Sequence, residues 1–581
     1  MNAIWLAVIG LTAFFLGYRF YSKFIARRIY RLDPNFVTPA HEFTDGVDYV
    51  PTNKYVLWGH HFSSVAGAAP IVGPAIAVYW GWLPALLWVV LGTVFAAGVH
   101  DFGSLVLSVR NKGRSVGTIA QRLIGQRSKV LFLFIILILL LMVNAVFAWV
   151  IANLFVTFPA SVLSIFIQIP LAVWIGYSVY RRQGGMLLPA LTALVVMYGT
   201  GVLASYVPAL QIDLVEYFGG ADSSVAFGLD GTSMAFFVWI IILMVYVYFA
   251  STLPVWKLLQ PRDYINSHQL VVGLAILYLG LIFSHPDIHA PATNPNPDKS
   301  WFPLLFITIA CGAISGFHGL VSSGTSSKQL DKETDARFVG YFGAIGEGAL
   351  ALVSIIAVVT VFASEDAFTA EYSGFEAANA VGLNNFVAGA GELATGLAIP
   401  AGVAETIVSI IVISFAATSL DTSVRLMRYI IGELGRDYKM PSLAKPHVAT
   451  SITVVASAAL VLLPQGPKGF GSGGYLIWPL FGTSNQLLAG ITFVLISIWL
   501  YRNGRNITYT IVPGVFVLFM TIYAMVQQVF FDWMGVGPDT DGFEPLLFIL
   551  GLIILAFAVW VVVEAARTFF AGRSEVDDIV R

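Results

Sequence analysis

Residues 301–328 read WFPLLFITIACGAISGFHGLVSSGTSSK, an apolar segment of membrane-spanning length that is interrupted at its centre. The first half is almost wholly apolar, whereas glycines and hydroxyl side chains crowd the second. Glycine inside a helix costs about 1 kcal/mol relative to alanine, so the helix is weakened there. Non-helical backbone at membrane depth is tolerated only against protein or a watery cavity. The segment therefore predicts a discontinuous helix lining a transport site. Close helix packing through small residues is the alternative.

The composition indicates a membrane protein. The chain has 581 residues, of which 57% are hydrophobic and 11% are charged, and its mean hydropathy is +0.81. Apolar runs of membrane-spanning length recur throughout, which predicts an all-α polytopic membrane protein. The single cysteine, Cys311, excludes an internal disulfide and a cysteine-rich metal site. The basic residues form no single patch, so no nucleic-acid partner is expected.

Fifteen transmembrane helices are predicted from the apolar runs. They cover 3–18, 59–80, 84–109, 130–158, 162–180, 186–207, 233–256, 269–285, 302–327, 338–363, 399–424, 450–464, 474–500, 508–528 and 546–566. With the N-terminus outside, 29 of the 31 lysines and arginines fall on alternate loops and the C-terminal tail. The positive-inside rule then predicts a periplasmic N-terminus and a cytoplasmic C-terminus. Residues 19–58 are expected to lie at the inner interface, and 208–232 and 364–398 form outer loops.

A second interrupted span is predicted at 59–80, GHHFSSVAGAAPIVGPAIAVYW. Gly67 and Gly73 weaken the helix, and Pro70 and Pro74 each remove a backbone donor. On the predicted topology this span runs in the opposite direction to 302–327. Two broken helices of opposite direction are typical of inverted-repeat transporters, which bind substrate and coupling ions where those helices meet. Two unrelated kinked helices are the alternative.

A third candidate segment is SFAATSLDTSVRLMRY, residues 414–429. Its hydroxyls at Thr418, Ser419, Thr422 and Ser423 are expected on one helical face, where they could serve as sodium ligands. Bonding of these hydroxyls to the i−4 carbonyls is the alternative. Asp421 and Arg425 stand at i and i+4 and are expected to pair. A contact of Arg425 with a substrate carboxylate is the other possibility.

Ionisable residues inside spans are functional candidates because they are costly in lipid. Glu347 lies near mid-membrane and is the candidate proton carrier, with a structural carboxyl as the alternative. His318 is placed to contact substrate or proton. His100 and Asp101, toward the inner half of span 84–109, are further candidates, with pairing of Asp101 to a basic residue of the next loop as the alternative. No lysine or arginine is expected deep in a span.

Two further groups of polar residues lie at depth. The histidines at 60, 61 and 100 lack the spacing of a preformed ligand set, so no metal site is predicted. Asn485 and Gln486 are expected either to contact the permeation path or to bridge helices.

The chain resembles the carbon starvation protein A family of bacterial inner-membrane transporters. The matching stretches are GHHF at 59–62, LPVWKLLQPRDYI at 253–265, FITIACGAISGFHGLVSSGT at 306–325, SLDTSVR at 419–425 and WPLFGTSNQLLA at 478–489. The resemblance implies a leucine-transporter-like core of the amino acid–polyamine–cation superfamily, with the central cavity at 66–74 and 313–324. Ser63–Ser64 and Ser326–Ser327 depart from the family pattern, where alanines and Thr-Pro are usual.

The pattern and the resemblance together give the predicted site. Predicted substrate-binding residues are Ser63, Ser64, Gly67, Ala68, Gly73, Ser315, Gly316, His318, Gly319, Ser322, Ser323 and Asn485. Predicted ion-coupling residues are Ala66, Glu347, Thr418, Ser419, Asp421 and Thr422. No cofactor is expected beyond Na⁺ or H⁺ as the coupling ion.

The predicted organisation has three parts: a peripheral helix and linker at 1–58, a transporter core at 59–500 with repeats starting at 59 and 302, and two peripheral helices and a tail at 501–581. The resemblance implies import of pyruvate or small peptides during carbon starvation by proton- or sodium-coupled symport. A passive channel for small metabolites and a cation or metal transporter of the same fold are the alternatives. A membrane enzyme is disfavoured, because no nucleophile–base constellation is present.

Overall fold

The computed structural model describes residues 1–46, 48–182, 184–464, 469–536 and 542–570. These residues form helices and connecting segments, without a strand. The first nine labelled helices are α1 (Ile4–Ile29), α2 (Lys54–Val65), α3 (Ala69–Trp80), α4 (Trp82–Arg110), α5 (Gln126–Thr157), α6 (Pro159–Val179), α7 (Leu187–Tyr206), α8 (Gly231–Thr252) and α9 (Leu259–Ser284). The others are α10 (Trp301–Thr308), α11 (Ala310–Ala313), α12 (Gly316–Gly324), α13 (Glu333–Thr360), α14 (Phe375–Thr395), α15 (Ala401–Asp437), α16 (Pro446–Leu462), α17 (Trp478–Arg502), α18 (Thr508–Asp532) and α19 (Pro545–Phe570).

Twelve helices in the described ranges are long and apolar enough to cross a membrane: α1, α4 to α9, α13, α15 and α17 to α19. The chain is therefore a polytopic helical membrane protein, as predicted. The other three predicted spans fall on helices that do not pass this test singly. They are the bent pair α2 and α3, the three pieces α10 to α12, and α16, which has 17 residues.

The first predicted interruption is confirmed between α2 and α3. Helix α2 ends at Val65, and Ala66 leaves the helical region with φ −77° and ψ 63°. The two helices meet at an angle of 48°. Pro70 stands in the first turn of α3, where its missing N–H costs nothing. We name α2 and α3 the first broken helix.

The second predicted interruption lies between α11 and α12. Ile314 and Ser315 are both extended, with φ and ψ of −167° and 129° and of −132° and 130°. The helix resumes at Gly316 and runs to Gly324. We name α10 to α12 the second broken helix, and its break falls at the glycine-rich centre predicted from the sequence.

The two broken helices lie against each other in opposite directions. A Cβ added to Gly73 would stand 2.2 Å from the carbonyl oxygen of Thr308. At the other end, His61 Nδ1 is 2.9 Å from Ser326 Oγ. Higher numbers on one helix thus meet lower numbers on the other, which defines an antiparallel pair. The backbones approach this closely because position 73 has no side chain.

The prediction that 364–398 forms a loop is wrong. This stretch contains a short helix, Glu365–Glu371, and then α14, of 21 residues. Helix α14 packs through its glycines, since a Cβ on Gly389 would lie 2.1 Å from the Ala357 carbonyl and one on Gly382 would lie 2.9 Å from Ile76 Cγ1. Its many small and polar residues lower its hydropathy, so the apolar-run criterion missed it.

Three predicted boundaries are also corrected. Helix α1 continues to Ile29 beyond the predicted end at 18. Residues 21–33, predicted to lie at the inner interface, pack on protein through residues such as the buried Tyr30, which donates to the Val99 carbonyl at 2.8 Å. The first broken helix begins at Lys54 instead of 59. Helix α9 begins at Leu259 instead of 269, which brings Arg262 inside a helix.

Candidate transport site

The centre of the candidate site is a row of buried ionisable side chains from three helices. His318, on α12, places Nδ1 at 2.8 Å from Asp101 Oδ2 and Nε2 at 3.1 Å from Glu347 Oε2. Asp101 belongs to α4 and Glu347 to α13, and all three are buried. We name these residues the acid–histidine cluster. The alternative that Asp101 pairs with a basic residue of the next loop is wrong, because its side chain faces the second broken helix.

Neighbouring groups hold the cluster in place. His100 Nδ1 lies 2.8 Å from the second oxygen of Asp101, and the Ser322 hydroxyl donates to the Asp101 carbonyl at 3.4 Å. Gly319 packs on His100, so that a Cβ there would stand 3.2 Å from Cε1 of the ring. An imidazole with a carboxyl group at each nitrogen is chemically suited to pass a proton between them. The cluster can therefore store or relay a proton.

Asn485, on α17, bridges the break in the second broken helix. Its Oδ1 accepts the backbone N–H of Phe317 at 2.8 Å, and its Nδ2 donates to Ser315 Oγ at 3.0 Å. The N–H groups of a helix start have no intrahelical partner and must be satisfied elsewhere. Of the two predicted roles for Asn485, the structure shows helix bridging. Helices α12 and α17 can pack this closely because residue 316 is glycine. A Cβ added there would stand 2.4 Å from the Asn485 carbonyl oxygen.

A second group of hydroxyls lies at the break of the first broken helix. Ser419 Oγ donates to the Ser64 carbonyl at 3.0 Å, and Ser64 Oγ lies 3.3 Å from Thr422 Oγ1. Gly67 packs directly against Ser419, since a Cβ added to this glycine would stand 2.7 Å from Ser419 Oγ. We name Ser64, Ser419 and Thr422 the hydroxyl cluster. The flanking Ala66 and Ala68 provide the non-helical turn and the start of α3.

The four hydroxyls of 414–429 do not share one face, contrary to prediction. Thr418 donates to its own i−4 carbonyl, Ser414, at 3.0 Å and accepts from Asn266 of α9 at 2.5 Å. Ser423 donates to the Leu140 carbonyl of α5 at 3.4 Å. Only Ser419 and Thr422 reach the first broken helix.

The remaining predicted residues lie around these two clusters. Ser63 donates to the Asp263 carbonyl at 2.9 Å, and Ser323 Oγ accepts from the Val116 N–H at 3.3 Å. His60 Nδ1 lies 2.5 Å from Asp263 Oδ2. In the described ranges no three histidine, cysteine, aspartate or glutamate side chains are grouped to hold a metal ion.

The predicted pair of Asp421 and Arg425 does not form. Asp421 instead contacts Arg262 and the hydroxyl of Tyr246, both of which are buried or partly buried on other helices. Arg425 donates to the carbonyl oxygens of Ala250 and Leu253 at 2.9 and 2.6 Å. Asp421 and Arg425 therefore bind groups outside their own helix instead of pairing with each other. The sequence feature that could have indicated this is Pro261. It lies in the first turn of α9, where proline is tolerated, and so marks a helix start that places Arg262 inside the helix.

Asp421→Asn is expected to lower stability strongly, because it removes the ion-pair partner of the buried Arg262. Breaking one side of a buried pair costs about 3–5 kcal/mol, whereas replacing both partners by apolar residues costs far less. Thermal unfolding of the detergent-solubilised protein measures both cases. Asp421→Asn should unfold at a clearly lower temperature, and the double variant Asp421→Leu/Arg262→Met should recover much of the loss. An Asp421→Asn protein as stable as wild type would contradict this pairing.

Two cavities in the described structure approach the second broken helix from opposite ends. A cavity of about 830 Å³ is lined by Leu320, Ser323 and Gly324 of α12. A smaller cavity of about 210 Å³ is lined by Ile307 and Thr308 of α10. The break at 314–315 lies between these two sets of residues in the chain.

The sequence matches the family model for carbon starvation protein CstA over residues 2–371 and 365–524. The chain belongs to the CstA family. The resemblance drawn from the local motifs is thereby confirmed. The match includes both broken helices, the acid–histidine cluster and the hydroxyl cluster.

Curated relatives in the CstA family are named as transporters. The peptide transporter CstA of Campylobacter jejuni is 33% identical, in an alignment covering 91% of this chain and 80% of the relative. The pyruvate/proton symporter BtsT of Escherichia coli is 30% identical over 94% and 83%. The peptide transporter CstA of Bacillus subtilis is 30% identical over 98% and 97%. These names describe transporters, and the chain is accordingly a transporter and not an enzyme.

Proposed function

We propose that this chain is a secondary active transporter that imports pyruvate or small peptides together with a proton. The acid–histidine cluster is the observation that carries the proposal: Asp101, His318 and Glu347 form a buried row on the second broken helix and its neighbours. Ionisable groups at such positions in a membrane protein are functional by default. Relatives named as peptide transporters and as a pyruvate/proton symporter support the substrate class and the ion.

In the proposed mechanism the cluster couples proton binding to movement of α12. His318 contacts a carboxyl group on α4 and another on α13, so it links three helices. A proton shared in this row neutralises part of its charge and changes how tightly α12 is held. A ligand shifts a conformational equilibrium only through a difference in its interactions with the two states. The helix-bridging position of His318 supplies such a difference.

We further propose a leucine-transporter-like inverted-repeat core with fifteen membrane helices in all, a periplasmic N-terminus and a cytoplasmic C-terminus. The antiparallel contact of the two broken helices supports the repeat. The fifteen would comprise the twelve long helices, the two broken ones and α16. Its 17 residues span about 25 Å, slightly less than a hydrocarbon core of about 30 Å. The proposed core runs from the start of α2 at Lys54 to the end of α17 at Arg502, and the protein lies in the bacterial inner membrane.

Alternating access is the proposed way in which the site opens to each side. The two cavities support it, because the larger meets α12 and the smaller meets α10, with the break between them. The difference in volume favours a conformation open mainly through the larger cavity. A passive channel would need both cavities to join across the break.

Sodium coupling is the second candidate, and the hydroxyl cluster favours it. The Ser64 carbonyl, at the end of α2, lies with the Ser419 and Thr422 hydroxyls beside the first break. Carbonyls freed in a broken helix combine with hydroxyls to coordinate Na⁺ in many secondary transporters. This candidate uses neutral oxygens and leaves the acid–histidine cluster without a role.

Uptake into proteoliposomes tests the proposal. Labelled pyruvate and a labelled dipeptide are offered separately under an imposed proton gradient, an imposed sodium gradient, or neither. We expect at least one substrate to accumulate above its external concentration with the proton gradient alone. Accumulation with the sodium gradient alone would assign coupling to the hydroxyl cluster. Equilibration without accumulation in every condition, and no counterflow, would contradict a carrier.

A further inference from the structure

We propose that Arg425 forms a carboxylate-binding subsite in the 830 Å³ cavity, where the substrate anion rests on its way between the central site and the inner face. The inference deepens the proposed function and depends on it. It gives the cavity a ligand class, namely a small molecule with a free carboxylate, such as pyruvate or the C-terminus of a peptide.

Arg425 is built into the cavity wall. Its side chain is only 2% exposed and lines the cavity. One terminal nitrogen donates to the carbonyls of Ala250 and Leu253, which fix the guanidinium. The Nε has no partner among the described residues, and none of their carboxylates lies within the 4.0 Å that defines an ion pair. A buried, oriented guanidinium that makes no ion pair can bind an anion.

The acidic side chains of the cavity are already engaged. Asp48 accepts from the Tyr429 hydroxyl at 2.8 Å. Glu433 and Asp437 both pair with Lys129, at 3.2 and 2.7 Å. Glu433 and Asp437 are therefore paired with Lys129, and none of the three acids lies within ion-pair distance of Arg425.

The basic side chains of the cavity remain in excess. Besides Arg425, four bases in its lining make no ion pair in the described structure: Arg114, Lys328, Arg428 and Arg436. Lys328 lies over the Tyr429 ring at 4.9 Å, and Arg428 lies over the same ring at 4.8 Å. Clefts lined by one sign of charge concentrate ligands of the other sign. The cavity therefore attracts anions, and Arg425 is its most buried and best oriented base.

The position of Arg425 suits a substrate-binding site between the break in the second broken helix and the inner face. Leu320, Ser323 and Gly324 of α12 share the cavity lining with Arg425. The acid–histidine cluster is held by His318 on the same helix. A carboxylate at Arg425 therefore lies beside the helix that carries the proposed coupling group, on the side of the predicted cytoplasmic loops.

Transport measured separately from each face tests the subsite. Wild type, Arg425→Gln and Arg425→Lys are compared in everted and right-side-out membrane vesicles, with Arg28→Gln, at an exposed arginine of α1 outside the cavity lining, as the control. For Arg425→Gln we expect the KM for pyruvate to rise at least about tenfold in everted vesicles, and to change less than about twofold in right-side-out vesicles. Arg425→Lys keeps the positive charge, so its KM for pyruvate should lie between those of wild type and Arg425→Gln. Arg28→Gln should resemble wild type.

Inhibition by pyruvamide, the uncharged analogue, separates binding from folding. Wild type should bind pyruvate more tightly than pyruvamide from the cavity side, and Arg425→Gln should lose that preference while keeping its affinity for the amide. An unchanged KM, or an equal loss for both compounds from both faces, would overturn the subsite. Absence of pyruvate and dipeptide transport by wild type would instead overturn the proposed function.

Discussion

Glu347→Gln is expected to abolish proton-driven accumulation while leaving exchange intact. Glutamine can still contact His318, which lies 3.1 Å from the Glu347 carboxylate, but it cannot carry a proton. Under an imposed proton gradient, substrate inside proteoliposomes should therefore reach only the external concentration. Counterflow between loaded liposomes, which needs no net proton movement, should continue.

The control for this variant is Glu365→Gln, an exposed glutamate in the short helix before α14. It makes the same chemical change away from the cluster and should accumulate substrate as wild type does. Undiminished accumulation by Glu347→Gln would remove this carboxyl as the proton carrier. Coupling would then have to be sought at Asp101 or in the hydroxyl cluster.

Gly316→Ala should severely impair both stability and uptake. Its Cβ would stand 2.4 Å from the Asn485 carbonyl oxygen and 2.5 Å from Leu488 Cβ, so α12 and α17 must separate. Overpacking of this kind costs about 1–3 kcal/mol. The displacement also pulls Asn485 from the Phe317 N–H, and small misplacements at a site can lower rates by about two orders of magnitude. Gly316→Leu should abolish uptake.

The matched control is Gly402→Ala, because no atom lies within 4 Å of a Cβ at that position. Alanine is the better helix former by about 1 kcal/mol, so this variant should be at least as stable as wild type. Unfolding temperature and initial uptake rate are measured for both alanine variants. Equal behaviour of the two would show that close approach at Gly316 is not required.

The two interruptions could be predicted from the sequence because their causes are local. Glycines weaken the centre of 301–328, and Pro70 disfavours an uninterrupted helix through 59–80, whereas Pro74 lies inside α3 without ending it. Burial of Glu347 and His318 also followed from their positions within apolar spans. Their direct contact did not, because it depends on how α4, α12 and α13 pack together.

The failed predictions concern long-range partners and weakly apolar helices. Asp421 and Arg425 satisfied a local pairing rule, but Arg262 and two backbone carbonyls are the actual partners. Helix α14 lacks a continuous apolar run, since its glycines and alanines pack against protein. The hydroxyls of α15 divide among three helices, which the one-dimensional pattern could not specify.

In the proposed mechanism the second broken helix separates two cavities that open in turn. Thiol labelling tests it most directly in a Cys311→Ala background, which removes the native cysteine. Leu304→Cys reports on the 210 Å³ cavity and Leu320→Cys on the 830 Å³ cavity. A membrane-impermeant reagent is applied from each face, with and without pyruvate and a proton gradient. We predict that each cysteine is labelled only from the face to which its cavity opens. Any condition that increases the labelling of one cysteine should decrease the labelling of the other. Simultaneous full labelling of both cysteines in every condition would mean a continuous pore and would contradict the account.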